Sequence, residues 1–507
     1  MKKFIKQLIF IFSALFFTQC TDLQEEPIGL LAPGTVYKTA SDVQSVLFSG
    51  YGLLSSERCY GRKYTIGLIL RSDMAQLIGS SAARRVEFDN FNINPDNALI
   101  QTFWPKFYEV ISVANSALDG LTKIEATQEE IIRLEAEARF LRAFSYYHLV
   151  RGFGDLPYID RFITDPDATA SLELTPAAEI YEAIKEDFQF AKENLPPNWD
   201  VQRRSRATNV AAAAYLASVH LTLEEFELAK VEAESIISQK ATYETDLSPS
   251  YAQLFDATDP AVQDNLPEAL FFIDYKSGVT RFDLDQSNVD FIFTHMQPVE
   301  VGGGFGNVFT NNAVVASFDP NDARTNANVA DTLYVSGVNT FLSQDADLSR
   351  DTLIRTGSAQ SSAPVILKYW FRNGNSNDQG WNSDMNIHLM RYAEVLLIAA
   401  EAAVETGDLS TAETYLNELR VRTNLGTLAD AGINVGDQQQ MRATVREERR
   451  VELAFEFKRW YDVKRWQNIG EVYGPSGTEP KDNVPGPSNY LFPRPENDII
   501  INPNLQN

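Results

Sequence analysis

The sequence has little cysteine and little histidine. Among its 507 residues there are two cysteines, Cys20 and Cys59, and four histidines. Two cysteines exclude the disulfide framework that small secreted domains depend on. No CxxC pair and no HExxH motif is present, so the common signatures of structural and catalytic zinc are missing. The fold must depend on its apolar core, and a chain of this length can bury a large one.

Long hydrophobic runs are also scarce. The main one spans residues 8–17, which is half of the ~20 residues that a membrane-spanning helix needs. It follows Lys2, Lys3 and Lys6, and this order is typical of a cleaved signal peptide over residues 1–19. Cys20 follows at the position where a lipoprotein signal peptidase leaves its lipid-bearing residue. We therefore expect lipidation at Cys20 and an acidic tether over residues 20–34, although Phe17 and Gln19 depart from the usual lipobox. The alternative is a free thiol at the end of the signal peptide.

The charge balance is strongly negative, at −25 for the whole chain. Residues 1–19 contain three lysines and no acid, so the chain without them carries −28. This charge argues against nucleic acid as a partner and disfavours a strongly anionic ligand. The adjacent Arg84 and Arg85 are a local patch that would allow one.

Catalytic motifs are absent from the sequence. There is no GxxxxGK[ST] phosphate loop and no GxSxG nucleophile elbow. His148 and His220 fall inside apolar helical runs and are expected to pack rather than to react. A glycosidase with two carboxylates remains an alternative, because such a pair is defined by geometry and not by spacing in the sequence. We expect no catalytic residue and no metal site.

Two segments have the same small-residue spacing. Ala217 and Ala229 are twelve residues apart, and so are Ala400 and Ala412. This spacing is typical of tetratricopeptide units, in which alanines let two antiparallel helices pack closely. Further helices are predicted over 129–150, 177–195 and 444–466. The sequence therefore predicts a mostly α fold.

The stretch between the two repeats has a different composition. EALFFIDYKS and PVILKYWFR resemble strands, the second with apolar residues on one side and Lys368 on the other. The surrounding Gly, Asn and Ser content indicates loops. We expect one domain over 35–507. Its helical scaffold covers about 35–240 and 390–470, a loop-rich insert with short strands covers about 241–390, and an extended tail covers 471–507.

The segment VREERRVELAFEFKRWYDVKRW concentrates many charges. One interpretation is an anion site. The other is structural: pairs along one helix, such as Glu447 with Arg450, or charges that reach into the scaffold and fix it. We favour the structural interpretation.

Five motifs, taken in order, resemble the SusD/RagB family of surface glycan-binding lipoproteins. They are EAEARFLRAFSYYHLVRGFGDLP, RATNVAAAAYLASVHL, MRYAEVLLIAAEA, REERRVELAFEFKRWYDVKRW and YLFPRPENDIIINPNLQN. The resemblance implies a non-enzymatic lipoprotein of the outer membrane, facing the exterior and using no cofactor. It implies a glycan ligand and, as partner, a SusC-like TonB-dependent transporter to which the glycan is delivered. Peptide capture on the same scaffold is the first alternative, and a surface glycosidase is the second.

The ligand site is expected in the loop after the first helices and in the insert, as the resemblance implies. Aromatic rings stack on sugar faces, and a few polar groups bond the hydroxyls. The candidates, inferred from place and residue type, are Arg85 and Phe88 in the first segment, His295, Phe305 and Asn307 in the second, and Trp370 and Trp381 in the third.

Overall fold

The structure is a computed structural model of the chain. It describes residues 37–77, 82–199, 205–256, 260–275, 295–296, 306–330, 334–335, 359–360, 364–369, 384–477 and 484–506. The predicted signal peptide, Cys20 and the tether lie outside these residues. In the part of the chain that is described, no helix is long and apolar enough to cross a bilayer.

Helices dominate the fold, as predicted. The α-helices are α1 Ala40–Ser55, α2 Lys63–Leu70, α3 Ala83–Asp89, α4 Ile100–Leu121, α5 Gln128–Phe153, α6 Ala177–Asn194, α7 Asn209–Thr222, α8 Phe226–Ser238, α9 Pro260–Gln263, α10 Asn312–Ser317, α11 Ala323–Asn328, α12 Tyr392–Glu405, α13 Leu409–Arg422, α14 Gln438–Glu452, α15 Arg459–Arg465, α16 Ile469–Tyr473 and α17 Glu496–Ile501. Single 3₁₀ turns are formed by Pro166–Ser171, Tyr251–Phe255, Pro487–Asn489 and Pro503–Leu505.

Within the described parts of the chain, the strands are short and form two-stranded pairs. They are β1 Gln76–Leu77, β2 Ala269–Ile273, β3 Val308–Phe309, β4 Val329–Ala330, β5 Tyr334–Val335, β6 Ala359–Gln360, β7 Val365–Ile366 and β8 Ile387–Arg391. The antiparallel pairs are β1 with β3, β2 with β8, β4 with β7 and β5 with β6.

The long helices have local reasons to begin and end where they do. α5 starts with a capping box, in which Thr127 Oγ1 accepts from the Glu130 amide and Glu130 accepts from the Thr127 amide. It ends at Gly154, whose φ of 78° belongs to the left-handed region that favours glycine.

The two alanine-spaced segments form helix pairs, as predicted. α7 packs on α8 and α12 packs on α13. Ala217, Ala229, Ala400 and Ala412 are all fully buried in these pairs. α8 also packs directly on α12, although some 150 residues of chain separate them. The helices therefore stack in the order α4, α5, α6, α7, α8, α12 and α13, and the intervening segment leaves this stack and returns to it.

Buried ion pairs join that intervening segment to the scaffold. Arg324 contacts Glu448 at 2.5 Å and Glu452 at 2.9 Å, and Lys368 contacts Glu456 at 2.6 Å. Arg391 also bonds Glu452 and Glu456, at 3.0 Å and 2.7 Å. Burial by itself raises the pKa of Glu456, but Arg391 and Lys368 beside it lower that pKa to about 2. The charged C-terminal segment is thus structural: Glu447 pairs with Arg450 on its own helix, as predicted, and Glu448 pairs with Arg324 of the insert.

Two details of the predicted elements are wrong. The predicted helix over 444–466 breaks after Glu452, because Phe455 and Phe457 adopt φ values of 62° and 63°. Glu452, at the end of α14, and Glu456, beyond the break, both accept hydrogen bonds from Arg391. Within the described residues 364–369, the second predicted strand is limited to β7, and Lys368 lies in the core.

Candidate ligand-binding site

The loop between α2 and α3 is tied to the insert, so the first two of the three segments predicted to hold ligand lie together. Gln76 pairs with Phe309 and Leu77 with Val308. The Thr310 hydroxyl donates to the Met74 carbonyl at 2.8 Å. These bonds place the N-terminal part of the chain beside the segment that carries His295 and Asn307.

An ion pair anchors this loop to the scaffold from the other side. The Arg459 guanidinium donates to both carboxylate oxygens of Asp73, at 2.7 Å and 2.9 Å, and Asp73 is buried. Burial lowers the pKa of Arg459, but the Asp73 carboxylate beside it raises the pKa above its usual value. A buried bidentate pair of this kind sets the orientation of the loop.

His295 and Asn307 contact one another. The backbone N–H of Asn307 donates to the backbone carbonyl of His295 at 3.2 Å. The His295 Nδ1 donates to the side-chain oxygen of Asn307 at 2.5 Å. Burial, and the charges of Arg62, Arg85 and Arg84, lower the pKa of His295 to about 3, against the effect of the Asn307 hydrogen bond. His295 is therefore neutral at physiological pH.

Five basic side chains surround this place, and we call them the basic cluster: Arg58, Arg62, Lys63, Arg84 and Arg85. Arg58 and Arg62 lie in the turn between α1 and α2, and Lys63 is the first residue of α2. Arg84 and Arg85 lie in the first turn of α3. Burial, and then Arg62, Arg84, Arg58 and Arg85, lower the pKa of Lys63 to about 8. The neighbouring carboxylate of Glu57 is paired with Arg62 and lies 3.9 Å from the Lys63 ammonium.

The outcome for the predicted site residues is mixed. Arg85, His295 and Asn307 lie together at the junction, and their contact with a ligand remains a prediction. Phe305, Trp370, Trp381 and Cys20 lie outside the described residues.

Phe88 is a wrong prediction. Its side chain is 0% exposed, and its ring packs on Phe103 and Phe492 with centroid distances of 6.5 Å and 5.3 Å. A side chain at Gly67 would collide with it, so α2 and α3 approach closely there. The ring has no free face for a sugar.

Arg58, Arg62 and Lys63 are the residues at this junction that the sequence analysis missed. They occur within six positions in RCYGRK, a short basic run in an acidic chain. That run was the available signal, but nothing local indicates that it meets Arg84 and Arg85.

Two cavities lie away from this junction, one within the helical scaffold and one between it and the C-terminal tail. One, of about 230 Å³, is lined by Tyr147, His148, Arg151, Tyr461 and Lys464. The His148 ring bonds the hydroxyls of Tyr60 and Tyr64 at 2.9 Å and 2.8 Å, which confirms its packing role.

The other cavity, of about 510 Å³, lies beside Arg71, whose guanidinium stacks between Phe91 and Trp460 at 4.6 Å and 4.2 Å. Within the described ranges, no three His, Cys, Asp or Glu side chains are arranged to hold a metal ion.

Comparisons with known proteins cover the chain from near its start to its end. A model of the SusD family matches residues 303–507, and a model described as starch-binding, associating with the outer membrane, matches residues 36–221. The SusD-like protein P2 of Formosa agariphila is 38% identical, with 100% of this chain and 99% of that protein aligned. The SusD-like protein P25 of the same organism is 26% identical over 98% of this chain and 97% of its own length.

Solved structures share the fold at lower identity. A SusD-like carbohydrate-binding protein of Bacteroides fragilis superposes with a TM-score of 0.76 at 22% identity, over 93% of this chain and 100% of that one. The surface glycan-binding protein A of Bacteroides thetaiotaomicron, in complex with laminarihexaose, superposes with a TM-score of 0.74 at 21% identity, over 93% and 99%. With a relative 38% identical along its whole length and family models matching both halves, the chain belongs to the SusD family.

Proposed function

We propose that this chain is a non-catalytic glycan-binding lipoprotein of the outer membrane. It captures an oligosaccharide or polysaccharide at the cell surface and delivers it to a SusC-like TonB-dependent transporter. The observation that carries the proposal is the full-length match to the SusD family, on a fold shared with a protein that holds laminarihexaose.

The ligand-contact groups in this proposal are of two kinds. Arg85, His295 and Asn307 are the polar anchors, and they lie together between the α2–α3 loop and the insert. Phe305, Trp370 and Trp381 are the rings that stack on sugar faces. This division follows from the chemistry of sugars, which present flat C–H surfaces and many hydroxyls.

Binding and catalysis are separated by one experiment. The mature chain is run in native gels that contain one polysaccharide each, and the same mixtures are assayed for new reducing ends. We expect retarded migration in at least one gel, with no increase in reducing ends. An increase would show a glycosidase. No retardation in any polysaccharide gel, together with binding of a peptide mixture in calorimetry, would show the peptide-capturing alternative.

The anchor and the partner have their own test. We propose that Cys20 is the lipidated N-terminus, that residues 20–34 are a tether, and that residues 35–507 fold as one domain facing the exterior. Mass spectrometry of the N-terminal peptide from native membranes should find an acylated Cys20. Purification of the tagged chain from the same membranes should recover a TonB-dependent barrel protein. An unmodified Cys20 would contradict the anchor, and a chain recovered alone would contradict the partnership.

A further inference from the structure

The positive charge of the basic cluster contrasts with the strongly negative charge of the whole chain. Five cations meet at one junction of a protein whose net charge is −25. They come from two turns that are some twenty residues apart, so the cluster is a product of the fold and not of a single basic run.

Arg84 is the member of the cluster with an unused guanidinium. Among the described residues, its side chain forms no hydrogen bond and no ion pair, and only its backbone carbonyl is used, as acceptor for Asn97. It is half-buried, so it cannot extend fully into water as a surface arginine does. A cation held in this way is ready to bond an anion from outside the chain.

Lys63 gives an independent view of the local potential. Its side chain is 17% exposed, and its nearest carboxylate, Glu57, is held by Arg62. The charges that act most strongly on Lys63 are the four arginines, and those that act on His295 are three of the same arginines. Lys63 and Arg84 therefore lie in a locally basic environment, in which the carboxylate of Glu57 near Lys63 is already paired with Arg62.

We propose that this site takes an acidic glycan, a uronate- or sulfate-bearing oligosaccharide, whose anionic groups contact Arg84 and Lys63. The inference rests on the proposed function and narrows its ligand class. Arginine and lysine bond carboxylate and sulfate oxygens through charge-assisted hydrogen bonds, which are stronger than those to neutral hydroxyls.

A glycan fits the charge distribution better than other polyanions do. The body outside the cluster is strongly acidic, and it repels a long, densely charged polymer such as nucleic acid. A sugar chain places its acidic groups at intervals, with hydroxyls between them. Asn307, half-buried beside His295, supplies an amide of the kind that bonds such hydroxyls.

Calorimetry with four probes tests the inference. The purified mature chain is titrated with an oligogalacturonate, a sulfated oligosaccharide, laminarihexaose and an oligoglutamate peptide, all of similar length. Each titration is made near 0.01 M and near 0.15 M ionic strength, between which the Debye length falls from about 30 Å to about 8 Å. We expect one or both acidic sugars to bind more tightly than laminarihexaose and the peptide, and to lose affinity at the higher salt.

Variants then locate the contact. Arg84→Gln and Lys63→Gln should each weaken binding of the acidic sugar about tenfold, as loss of a charge-assisted bond implies. The matched control is Arg161→Gln, because Arg161 is 72% exposed and pairs with Asp160 at 3.8 Å. This variant should bind the acidic sugar as tightly as the parent does.

Several results would overturn the inference, and they can be told apart. Tight, salt-insensitive binding of laminarihexaose alone would refute it and leave the proposed function standing. Binding of no sugar would refute both. Preference for oligoglutamate would assign the cluster to acidic peptides. An equal loss of affinity in Arg161→Gln would show that binding depends on the net charge of the chain and not on contacts at the cluster.

Discussion

The side chains of α3 lie in two different environments, although they follow one another in the sequence. Arg84 and Arg85 belong to the basic cluster, while Phe88, three residues on, is fully buried against Phe103 and Phe492. A helix of seven residues has a single buried face, and Phe88 occupies it. Residue type and position along the sequence therefore could not show that Phe88 is buried, and ligand contact by Arg85 remains a prediction.

Substitution of Phe88 should lower the stability of the fold and leave glycan affinity unchanged. Phe88→Ala removes a buried ring and leaves a cavity, so we expect the free energy of unfolding to fall by about 3–5 kcal/mol. Urea denaturation measures this. Val86→Ala on the same helix is the control, because Val86 is exposed and should change stability by less than about 0.5 kcal/mol. Unchanged stability together with lost glycan affinity would return Phe88 to the ligand site.

At the scale of elements, the helix pairs were predictable and the breaks were not. The alanine spacing of α7, α8, α12 and α13 is a local signal, and a close helix–helix approach depends on it directly. The interruption after α14 has no local signal, since Phe455 and Phe457 are not residues that favour positive φ. Contacts distant in sequence, from Glu452 and Glu456 to Arg391, hold that conformation in place.

The same reasoning explains the site. Resemblance to the family indicated which segments would meet, and the β1–β3 pair joins them. The basic cluster is not predictable from the sequence, because its members come from separate turns that only the tertiary structure brings together.

Close packing of the repeat helices can be tested on α8. Ala229 is fully buried against the neighbouring helices, and Ala229→Leu adds volume where none is available. We expect destabilisation by about 1–3 kcal/mol in urea. Val231→Leu, on the exposed face of the same helix, adds one methylene group with no buried neighbour to displace, and its free energy of unfolding should match that of the parent. Equal effects of both changes would argue against tight packing between the repeats.

For the whole molecule, the buried ion pairs make stability depend on pH. Glu456 has a folded pKa of about 2, below the ~4.3 of an unfolded glutamate. A carboxylate with a lowered pKa stabilises the fold above its unfolded pKa, and this contribution is lost as the pH falls through the folded value. The pKa values of Glu401 and Asp462 are lowered too, so these groups also stabilise the fold more at neutral than at acidic pH. Burial raises the pKa of Glu448, so this group reduces that dependence of stability on pH.

We therefore expect the free energy of unfolding to decrease between about pH 5 and pH 2, by on the order of 3 kcal/mol from Glu456 alone. Urea denaturation at pH 7, 4 and 3 measures it. Glu456→Gln should be less stable at pH 7 and should show a shallower decrease toward acid. A variant with the parent's pH dependence would show that Glu456 is not ionised in the folded chain.

Hydrogen–deuterium exchange of the mature chain, with and without a glycan that it retains in the native gel, tests most directly whether the ligand lies at the junction of the α2–α3 loop and the insert. Slower exchange in peptides from residues 71–97 and 295–311, with the peptides of α7, α8, α12 and α13 unchanged, is the result that we predict. Slower exchange confined to the scaffold peptides around the Arg151 cavity, with none at the junction, would contradict the account.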